Sequence, residues 1–359
     1  MNDKNHKHSD STGTPLHKVG EFGLIELLTS DFLTLSPHTI QGVGDDAAVI
    51  QVKDDHCVLL STDMLVEALH FDPIYSSFEH IGYKAVVVNL SDICAMNALP
   101  RHITVSIAIS NKYFVEHLQA LYKGIHLACK EYDIDLVGGD TVSSLRGLTI
   151  SISALGIQQR SRIAYRHGAK PGDLLCVTGN LGAAYLGLLL LEREKQLFLK
   201  NPDLQPSLPK KYSYAIQRQL KPDARTDIIQ LWHHQNFIPS ALIDLSDGLA
   251  SDLLHICHRS KVGAIVEESK LPIREDIRLM ALDFNHDPIT CAMNGGEDYE
   301  LLFTAPEDKL PLLRYMPDIS IIGEIVPKNE GVHLLTTGGK KVPITAQGWQ
   351  HFSSPNEKK

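Results

Sequence analysis

The segment Gln41–Ile50 constrains this sequence most, because two glycines there precede two adjacent aspartates and an apolar run. Gly42 and Gly44 suit a tight turn or a close approach to a ligand, since glycine has no Cβ and adopts positive φ freely. Asp45 and Asp46 then place two carboxylates at the mouth of the strand that the apolar run predicts. The segment therefore predicts a charged, ligand-accessible turn at the start of a strand.

Aspartates recur where apolar runs end. The later examples are Ser61-Thr62-Asp63, Gly138-Gly139-Asp140 and Asp244-Leu245-Ser246-Asp247-Gly248. Asp92 belongs to the same set, although it lies on the helix predicted over residues 78–98. It shares a face of that helix with Asn89, three residues before it. The sequence thus delivers acids repeatedly to the ends of strands and to one helix face.

A turn or a helix N-cap explains any one of these aspartates, and Asp247 in particular would cap the helix that follows it. The whole set is harder to explain in that way. Carboxylates gathered at one site repel each other and their pKa values rise unless cations neutralise them. Magnesium takes oxygen ligands, typically a few carboxylates together with substrate phosphates. The set therefore predicts phosphate chemistry assisted by magnesium.

Several nucleotide-binding and metal-binding motifs are absent or incomplete. Residues 42–47 match G-x-G-x-x-A, but a strand is predicted after them where a dinucleotide fingerprint needs a helix. Walker A and protein-kinase motifs are missing from the sequence. The acids of residues 244–248 lack EF-hand spacing. These observations argue against a nicotinamide-dependent enzyme, a P-loop nucleotidase and a calcium sensor.

Composition narrows the class of protein further. A chain of 359 residues has room for two domains, and a net charge of -9 argues against a nucleic-acid binder. The six cysteines include no C-x-x-C pair, which is typical of buried thiols in a reducing compartment. We found no apolar run of the roughly 18 residues that a membrane helix needs. We therefore expect a cytoplasmic protein.

Hydrophobic periodicity predicts strands interleaved with helices in both halves of the chain. The predicted strands cover residues 47–52, 57–61, 102–110, 134–137, 148–156, 174–178, 241–244, 263–266, 299–304 and 319–325. The predicted helices cover residues 20–28, 78–98, 113–132, 181–194, 226–234, 247–257 and 306–315. We expect an α/β (α+β) fold of two domains, each a mixed sheet covered by helices. Residues 1–17 are predicted to be a disordered tail, residues 195–211 an exposed loop, and residues 158–173 the domain boundary.

Seven segments in this order resemble the thiamine-monophosphate kinase family. They are GVGDDAAVI, STDML with Glu67 and His70 after it, Lys84 to Asp92, GGDT, RHGAKPGD, IDLSDGL and NGGEDYELLF. The resemblance covers roughly residues 20–352, and the wider superfamily includes aminoimidazole ribonucleotide synthetase and selenophosphate synthetase. It implies two α/β domains. The first, residues 18–157, would bind ATP and magnesium and form a homodimer, and the second, residues 158–359, would complete the substrate site.

The resemblance also implies an activity and the residues that support it. The activity is ATP-dependent phosphorylation of thiamine monophosphate to thiamine diphosphate by direct in-line transfer, without a covalent nucleophile on the protein. The implied ligands of several magnesium ions are Asp46, Ser61, Thr62, Asp63, Asp92, Asp140, Asp244 and Asp247. The implied ATP contacts are Gly139, Asp140, Arg166 and Ser246, and the implied substrate contacts are His70, Glu297 and Trp349. Asp45 is expected to be a neighbour of the metal site.

Chemical reasoning agrees with direct transfer. A phosphate monoester is a competent nucleophile near neutral pH, so positioning and charge neutralisation suffice for catalysis. Arg166 offers a fixed cationic fork suited to phosphate. Two alternatives stay open: a superfamily synthetase with another acceptor, and a nucleotide-binding or cation-binding regulatory module. The lack of a cysteine before Gly42 argues against a selenide enzyme, and the number of retained carboxylates argues against a mere binder.

Overall fold

The structure is a computed structural model that describes residue 14, residues 16–203 and residues 208–345. Most of the predicted tail, part of the predicted 195–211 loop and Trp349 lie outside these residues. Residues 16–35 belong to a unit of their own. This unit contains a 3₁₀ turn, Leu16–Lys18, and helix α1, Gly20–Thr29, where a helix over residues 20–28 is predicted.

The described residues from 36 onward contain two mixed sheets, and the first has six strands in the order β1-β2-β3-β6-β4-β5. These strands are β1 (Thr39–Gln41), β2 (Ala48–Lys53), β3 (His56–Val66), β4 (Leu99–Ile109), β5 (Asp135–Ser143) and β6 (Leu148–Gln159). β5 pairs in parallel with β4, and the other neighbours are antiparallel. β5 therefore forms one edge of the sheet.

Two helices cover this sheet, α2 (Phe78–Cys94) and α3 (Val115–Tyr132). Thirteen of the 17 residues of α2 are buried, since α2 lies between the sheet and its neighbouring helix. The Ser77 hydroxyl caps the helix by accepting a hydrogen bond of 3.2 Å from the His80 backbone N–H. Polar residues on α2 therefore have to find partners inside the protein.

The second sheet has seven strands in the order β13-β12-β9-β11-β7-β10-β8. They are β7 (Leu174–Thr178), β8 (Ala241–Asp244), β9 (Gly263–Glu267), β10 (Leu301–Ala305), β11 (Ile319–Val326), β12 (Val332–Leu335) and β13 (Lys341–Pro343). β9 and β12 are parallel, and the other neighbours are antiparallel. Strands β7 to β11 are largely buried, so apolar residues cover both faces of the sheet centre.

Helices complete the second half of the chain. They are α4 (Ala183–Lys200), α5 (Ser213–Leu220), α6 (Thr226–His234), α7 (Leu249–Ser260), α8 (Glu275–Asp283), α9 (Pro288–Asn294) and α10 (Leu310–Leu313). Mixed sheets covered by helices confirm the predicted fold class. Within the described residues, no helix combines the length and the apolar character needed to cross a bilayer.

Four predicted elements need correction. The strand predicted to end at Ser61 continues to Val66, because β3 pairs with β6 along its full length. The strand predicted over residues 134–137 continues through Gly139 and Asp140 to Ser143, because β5 stays in register with β4. Helix α4 extends into the predicted 195–211 loop. The helix predicted over residues 306–315 is only a 3₁₀ turn followed by α10.

Two glycines allow α2 and α3 to pack closely. A Cβ on Gly82 would lie 2.0 Å from the Leu121 carbonyl oxygen, and one on Gly124 would lie 1.9 Å from the Glu79 carbonyl oxygen. Neither distance is possible without a shift of the backbone. Glycine is thus required at the crossing, although it is a poor helix former.

We predict that Gly82→Ala destabilises the protein by about 1–3 kcal/mol, because overpacking at the crossing outweighs the gain in helix propensity. Urea unfolding at equilibrium measures the change. Gly23→Ala in α1 is the matched control, since its new methyl group meets only a Val19 side-chain carbon at 3.2 Å. Equal stability changes in the two variants would contradict the prediction.

Candidate functional site

Three carboxylates from three separate segments meet near the two sheets. Asp46 lies in the turn before β2, Asp92 on helix α2, and Asp244 at the end of β8. One carboxylate oxygen from each lies within 4.8 Å of the other two. Asp46 and Asp244 are buried, with 7% and 3% of their surface exposed. Residues almost 200 positions apart in the sequence therefore form one acidic group.

Burial and mutual repulsion act together on these carboxylates. Desolvation, followed by the charges of Asp46 and Asp63, raises the pKa of Asp244 to about 7, although the Ser91 hydroxyl and Arg166 oppose the rise. The pKa of Asp92 is raised well above its usual range by burial and then by Asp63, Asp244 and Asp46. Buried carboxyl groups with pKa values raised by burial and by one another are typical of a functional site.

Arg166 is the cation paired with this group. Its guanidinium donates two hydrogen bonds to Asp46, from Nε at 3.0 Å and from Nη2 at 2.6 Å. Its backbone N–H donates to Asp45 Oδ1 at 3.1 Å, and burial followed by the charge of Asp46 raises the pKa of Asp45 to about 6. One guanidinium cannot neutralise three ionised carboxylates, so the others have to bind protons or a cation.

Strand β3 brings Ser61 and Asp63 to the group but not the side chain of Thr62. Ser61 Oγ donates a hydrogen bond to Asp92, and the Asp63 backbone N–H donates to Asn89 Oδ1 at 2.9 Å. Alternate residues of a strand face opposite sides. Thr62 Oγ1 accordingly donates to the Ile152 carbonyl at 3.1 Å on the neighbouring strand. A metal role for the Thr62 hydroxyl does not fit this orientation.

The segment after β8 holds Ser246 and Asp247. Ser246 is exposed, and its carbonyl oxygen accepts a hydrogen bond of 2.8 Å from the Glu297 backbone N–H. Asp247 does not cap helix α7, because Gly248 is the N-cap residue and no side chain bonds there. Asp252 instead accepts a hydrogen bond of 3.1 Å from the Gly248 N–H. Asp247 therefore does not cap α7, a role that the sequence allowed.

Gly139 and Asp140 lie apart from the three carboxylates. Both are exposed on β5, three strand positions away from β3 in the sheet order. A Cβ on Gly139 would lie 1.9 Å from the Val105 carbonyl oxygen, so glycine is needed for β5 to approach β4. Asp140 Oδ1 accepts a hydrogen bond of 2.8 Å from the Thr141 N–H. Asp140 is therefore not part of the acidic group in this structure.

The residues that line a small pocket include His70, Tyr75, Lys84 and Gln219. His70 Nδ1 accepts a hydrogen bond of 2.9 Å from the Val66 N–H, which fixes the ring. Lys84 Nζ lies 2.7 Å from Glu297 Oε1. The structure thus places His70 in the pocket and links Glu297 to the pocket wall through Lys84.

The sequence analysis missed several residues of this region. Ser91 Oγ donates a hydrogen bond of 2.6 Å to Asp244 Oδ2 and joins α2 to β8. Tyr299 is buried, and this burial raises the pKa of its hydroxyl well above the usual range. The charges of Glu297 and of the acidic group raise it as well. Ser91 and Tyr299 stand beside predicted acids in their motifs. Gln219 lies outside every motif, so the sequence held no signal for it.

Two families match the chain in succession: the N-terminal domain of AIR synthase related protein over residues 44–158 and its C-terminal domain over residues 170–335. The thiamine-monophosphate kinase of Bacillus subtilis is 34% identical over 340 residues, covering 93% of this chain and 100% of the relative. The thiamine-monophosphate kinase of Aquifex aeolicus is 36% identical over 339 residues, covering 94% of this chain and 99% of the relative.

A solved structure described as AaThiL complexed with AMPPCP and TMP is 33% identical, with a TM-score of 0.80 and coverage of 95% and 100%. The fold is thus that of the AIR synthase related class. Within that class, the chain belongs to the thiamine-monophosphate kinase family, a family of phosphotransferases. The comparisons confirm the resemblance and the kinase function that it implied.

We predict that the metal-free protein loses stability as the pH rises from about 4 to about 7. The folded state holds protons on Asp45 and Asp244 in this range, because their pKa values of about 6 and about 7 lie above the unfolded value of 3.8. Each such group lowers the free energy of unfolding by up to about 1.4 kcal/mol per pH unit. Urea unfolding in a chelator at pH 5 and pH 7.5 measures the slope.

Asp244→Asn should make this slope shallower, because it removes one of the carboxyl groups that hold a proton in the folded state. Asp140→Asn, which changes an exposed carboxylate, is the control and should keep the wild-type slope. An Asp244→Asn protein with the wild-type slope would show that Asp244 is ionised in the metal-free fold, contrary to the prediction.

Proposed function

We propose that this protein transfers the γ-phosphoryl group of ATP to the phosphate of thiamine monophosphate, giving thiamine diphosphate and ADP. The observation that carries this proposal is the acidic group of Asp46, Asp92 and Asp244 beside Arg166. The related structure complexed with AMPPCP and TMP supports it, because AMPPCP is an ATP analogue and TMP is the acceptor. The buried thiols of all six cysteines support a reducing, cytoplasmic location.

The acidic group fits magnesium. Its donors are all carboxylate oxygens, which suit a hard divalent cation, and burial followed by mutual repulsion raises the pKa values of Asp92 and Asp244. Asp46, Asp92 and Asp244 would hold the metal, with Ser61 and Asp63 beside them and Asp247 at the nearby turn. Bound magnesium would supply the positive charge that neutralises phosphate oxygens. The Thr62 hydroxyl is not part of this proposed set.

The chain itself positions the two substrates. An oxygen of the acceptor phosphate attacks the γ-phosphorus, and the bond from this phosphorus to the bridging oxygen of ADP breaks. No side chain has to remove a proton, because the acceptor phosphate is already ionised. Arg166 uses two of its five N–H donors on Asp46 and keeps others for a phosphate. Ser246 lies at the exposed turn after β8, where it would contact ATP.

The pocket that His70, Tyr75, Lys84 and Gln219 line would hold the organic part of thiamine monophosphate. His70 lines the pocket, and Glu297 offers a carboxylate to the positively charged thiazolium ring. The acceptor phosphate would then point from the pocket toward the carboxylates. Trp349 lies outside the described residues, and its predicted contact with the substrate stays a prediction.

Strand β5 is the proposed dimer contact. All nine of its residues are exposed, among them the apolar Leu136, Val137 and Val142, on the edge of the sheet. An exposed apolar edge strand is a ready surface for pairing with another chain. Gly139 and Asp140 lie on the same strand, so their proposed contacts with ATP would form at the dimer interface.

We predict that Asp63→Asn lowers kcat by a factor of about 100 or more. The substitution removes a carboxylate beside the proposed magnesium ligands, and bound magnesium would stabilise the charge of the transition state. The neighbouring substitution Thr62→Val should lower kcat less than about fivefold, since the Thr62 side chain faces away. Purified protein is incubated with ATP, magnesium and thiamine monophosphate, and chromatography follows thiamine diphosphate and ADP. The two products should appear in equal amounts and only without a chelator.

Other results of this assay would point elsewhere. ADP without thiamine diphosphate would indicate another acceptor, as in the superfamily synthetases. ATP binding without turnover would indicate a regulatory module. Similar losses in the Asp63 and Thr62 variants would contradict the assignment of their side chains to opposite faces.

We predict that wild-type protein has twice the mass of one chain in light scattering and that Val137→Lys shifts it to the single-chain mass. A lysine on the exposed edge would place like charges opposite each other across the contact. Val52→Lys, at an exposed valine of β2 in the same sheet, is the control. A dimeric Val137→Lys protein would contradict the placement of the contact on β5.

A further inference from the structure

We propose that Lys84 and Gln219 are positioning residues that fix the carboxylate of Glu297 for recognition of the organic, cationic part of the substrate. This inference rests on the proposed function and assigns to two further residues the support of that recognition. Neither residue belongs to the acidic group, and both line the pocket that contains His70.

The two oxygens of Glu297 each have one donor. Lys84 Nζ lies 2.7 Å from Oε1, and Gln219 Nε2 donates to Oε2 at 2.7 Å. The donors come from α2 and α5, helices from different parts of the chain. Two donors on opposite oxygens fix the plane of a carboxylate as well as its position.

Exposure separates the roles of the three side chains. The Lys84 side chain is only 8% exposed, whereas that of Glu297 is 29% exposed. Lys84 therefore has little surface for a ligand and directs its charge at Glu297. Glu297 keeps an open side and further lone pairs with which to meet a ligand.

The orientation of the Gln219 amide carries the same conclusion. A carboxylate only accepts hydrogen bonds, so the NH₂ end of the amide must face Glu297. The other end, Oε1, is left buried without a hydrogen-bond partner among the described residues. An unsatisfied buried acceptor lowers the free energy of unfolding. An apolar side chain would fill this position without that loss, so packing alone does not explain the glutamine.

The backbone at Glu297 shows the same constraint. Glu297 has φ +65° and Tyr299 φ +51°, in the left-handed region that residues with a Cβ seldom adopt. The Glu297 N–H is held by the Ser246 carbonyl at 2.8 Å. Strain of this kind persists where the surroundings determine it, and Lys84 and Gln219 are the part of those surroundings that acts on the carboxylate.

The test is steady-state kinetics of Lys84→Met and Gln219→Leu with both substrates varied. We expect KM for thiamine monophosphate to rise about 10- to 100-fold in Lys84→Met and about 5-fold in Gln219→Leu, since charged hydrogen bonds contribute more than neutral ones. KM for ATP should change less than about twofold. Lys84→Arg should recover most of the loss, because it keeps the charge.

Lys270→Met is the control, since Lys270 pairs with Glu267 at 2.7 Å and neither residue lines the pocket. It should leave both KM values unchanged. A Glu297→Gln background gives a further readout: adding Lys84→Met there should raise KM for thiamine monophosphate no further. A purely structural lysine would add its full effect in both backgrounds, and this result would overturn the inference.

The remaining outcomes also separate the two proposals. Unchanged KM values in Lys84→Met and Gln219→Leu, with normal wild-type turnover, overturn the positioning role alone. Equal increases in KM for both substrates overturn it as well, because they indicate general damage to the site. A wild-type protein that makes no thiamine diphosphate overturns the proposed function itself. Gln219→Leu keeps the test valid if Lys84→Met does not fold.

Discussion

Electrostatic repulsion among Asp46, Asp92 and Asp244 is the constraint on which the site depends. Three carboxylate oxygens within 4.8 Å are unfavourable in a buried environment, and the fold has to hold them there. Arg166, Ser61 and Ser91 each bond one carboxylate. The bond from Ser91 to Asp244 also ties the first half of the chain to the second. The acidic group is thus a joint between the two sheets as well as a place for a cation.

Helix α2 connects the two ends of the site. Lys84, near the middle of the helix, forms an ion pair with Glu297 next to the pocket. Asp92, near the end of the helix, belongs to the acidic group. Eight residues at about 1.5 Å each separate the two positions by about 12 Å along the helix axis. Because α2 is buried, this spacing is rigid. The helix therefore fixes the distance between the region that recognises the substrate and the region that meets its phosphates.

The mixed sheets, most strands and the residues of the acidic group follow from local sequence patterns, because alternation and acidic turns are local properties. The orientation of Thr62 and the position of Asp140 do not, since strand pairing carries β3 and β5 past their predicted ends. Lys84 and Gln219 meet Glu297 from distant helices, and no spacing in the sequence indicates such a contact. The orientations and contacts of these side chains thus depend on long-range packing, which local motifs do not specify.

The sequence distance between Ser91 and Asp244 has a consequence during synthesis. At about 5–20 residues per second, a ribosome needs about 8–30 s to extend the chain from one residue to the other. The first sheet and α2 are complete in that interval, while the strand that carries Asp244 has not yet left the ribosome. The Ser91–Asp244 bond cannot form in that interval. The nascent chain therefore passes through a stage in which it carries acidic groups of the site but lacks the joint that closes it.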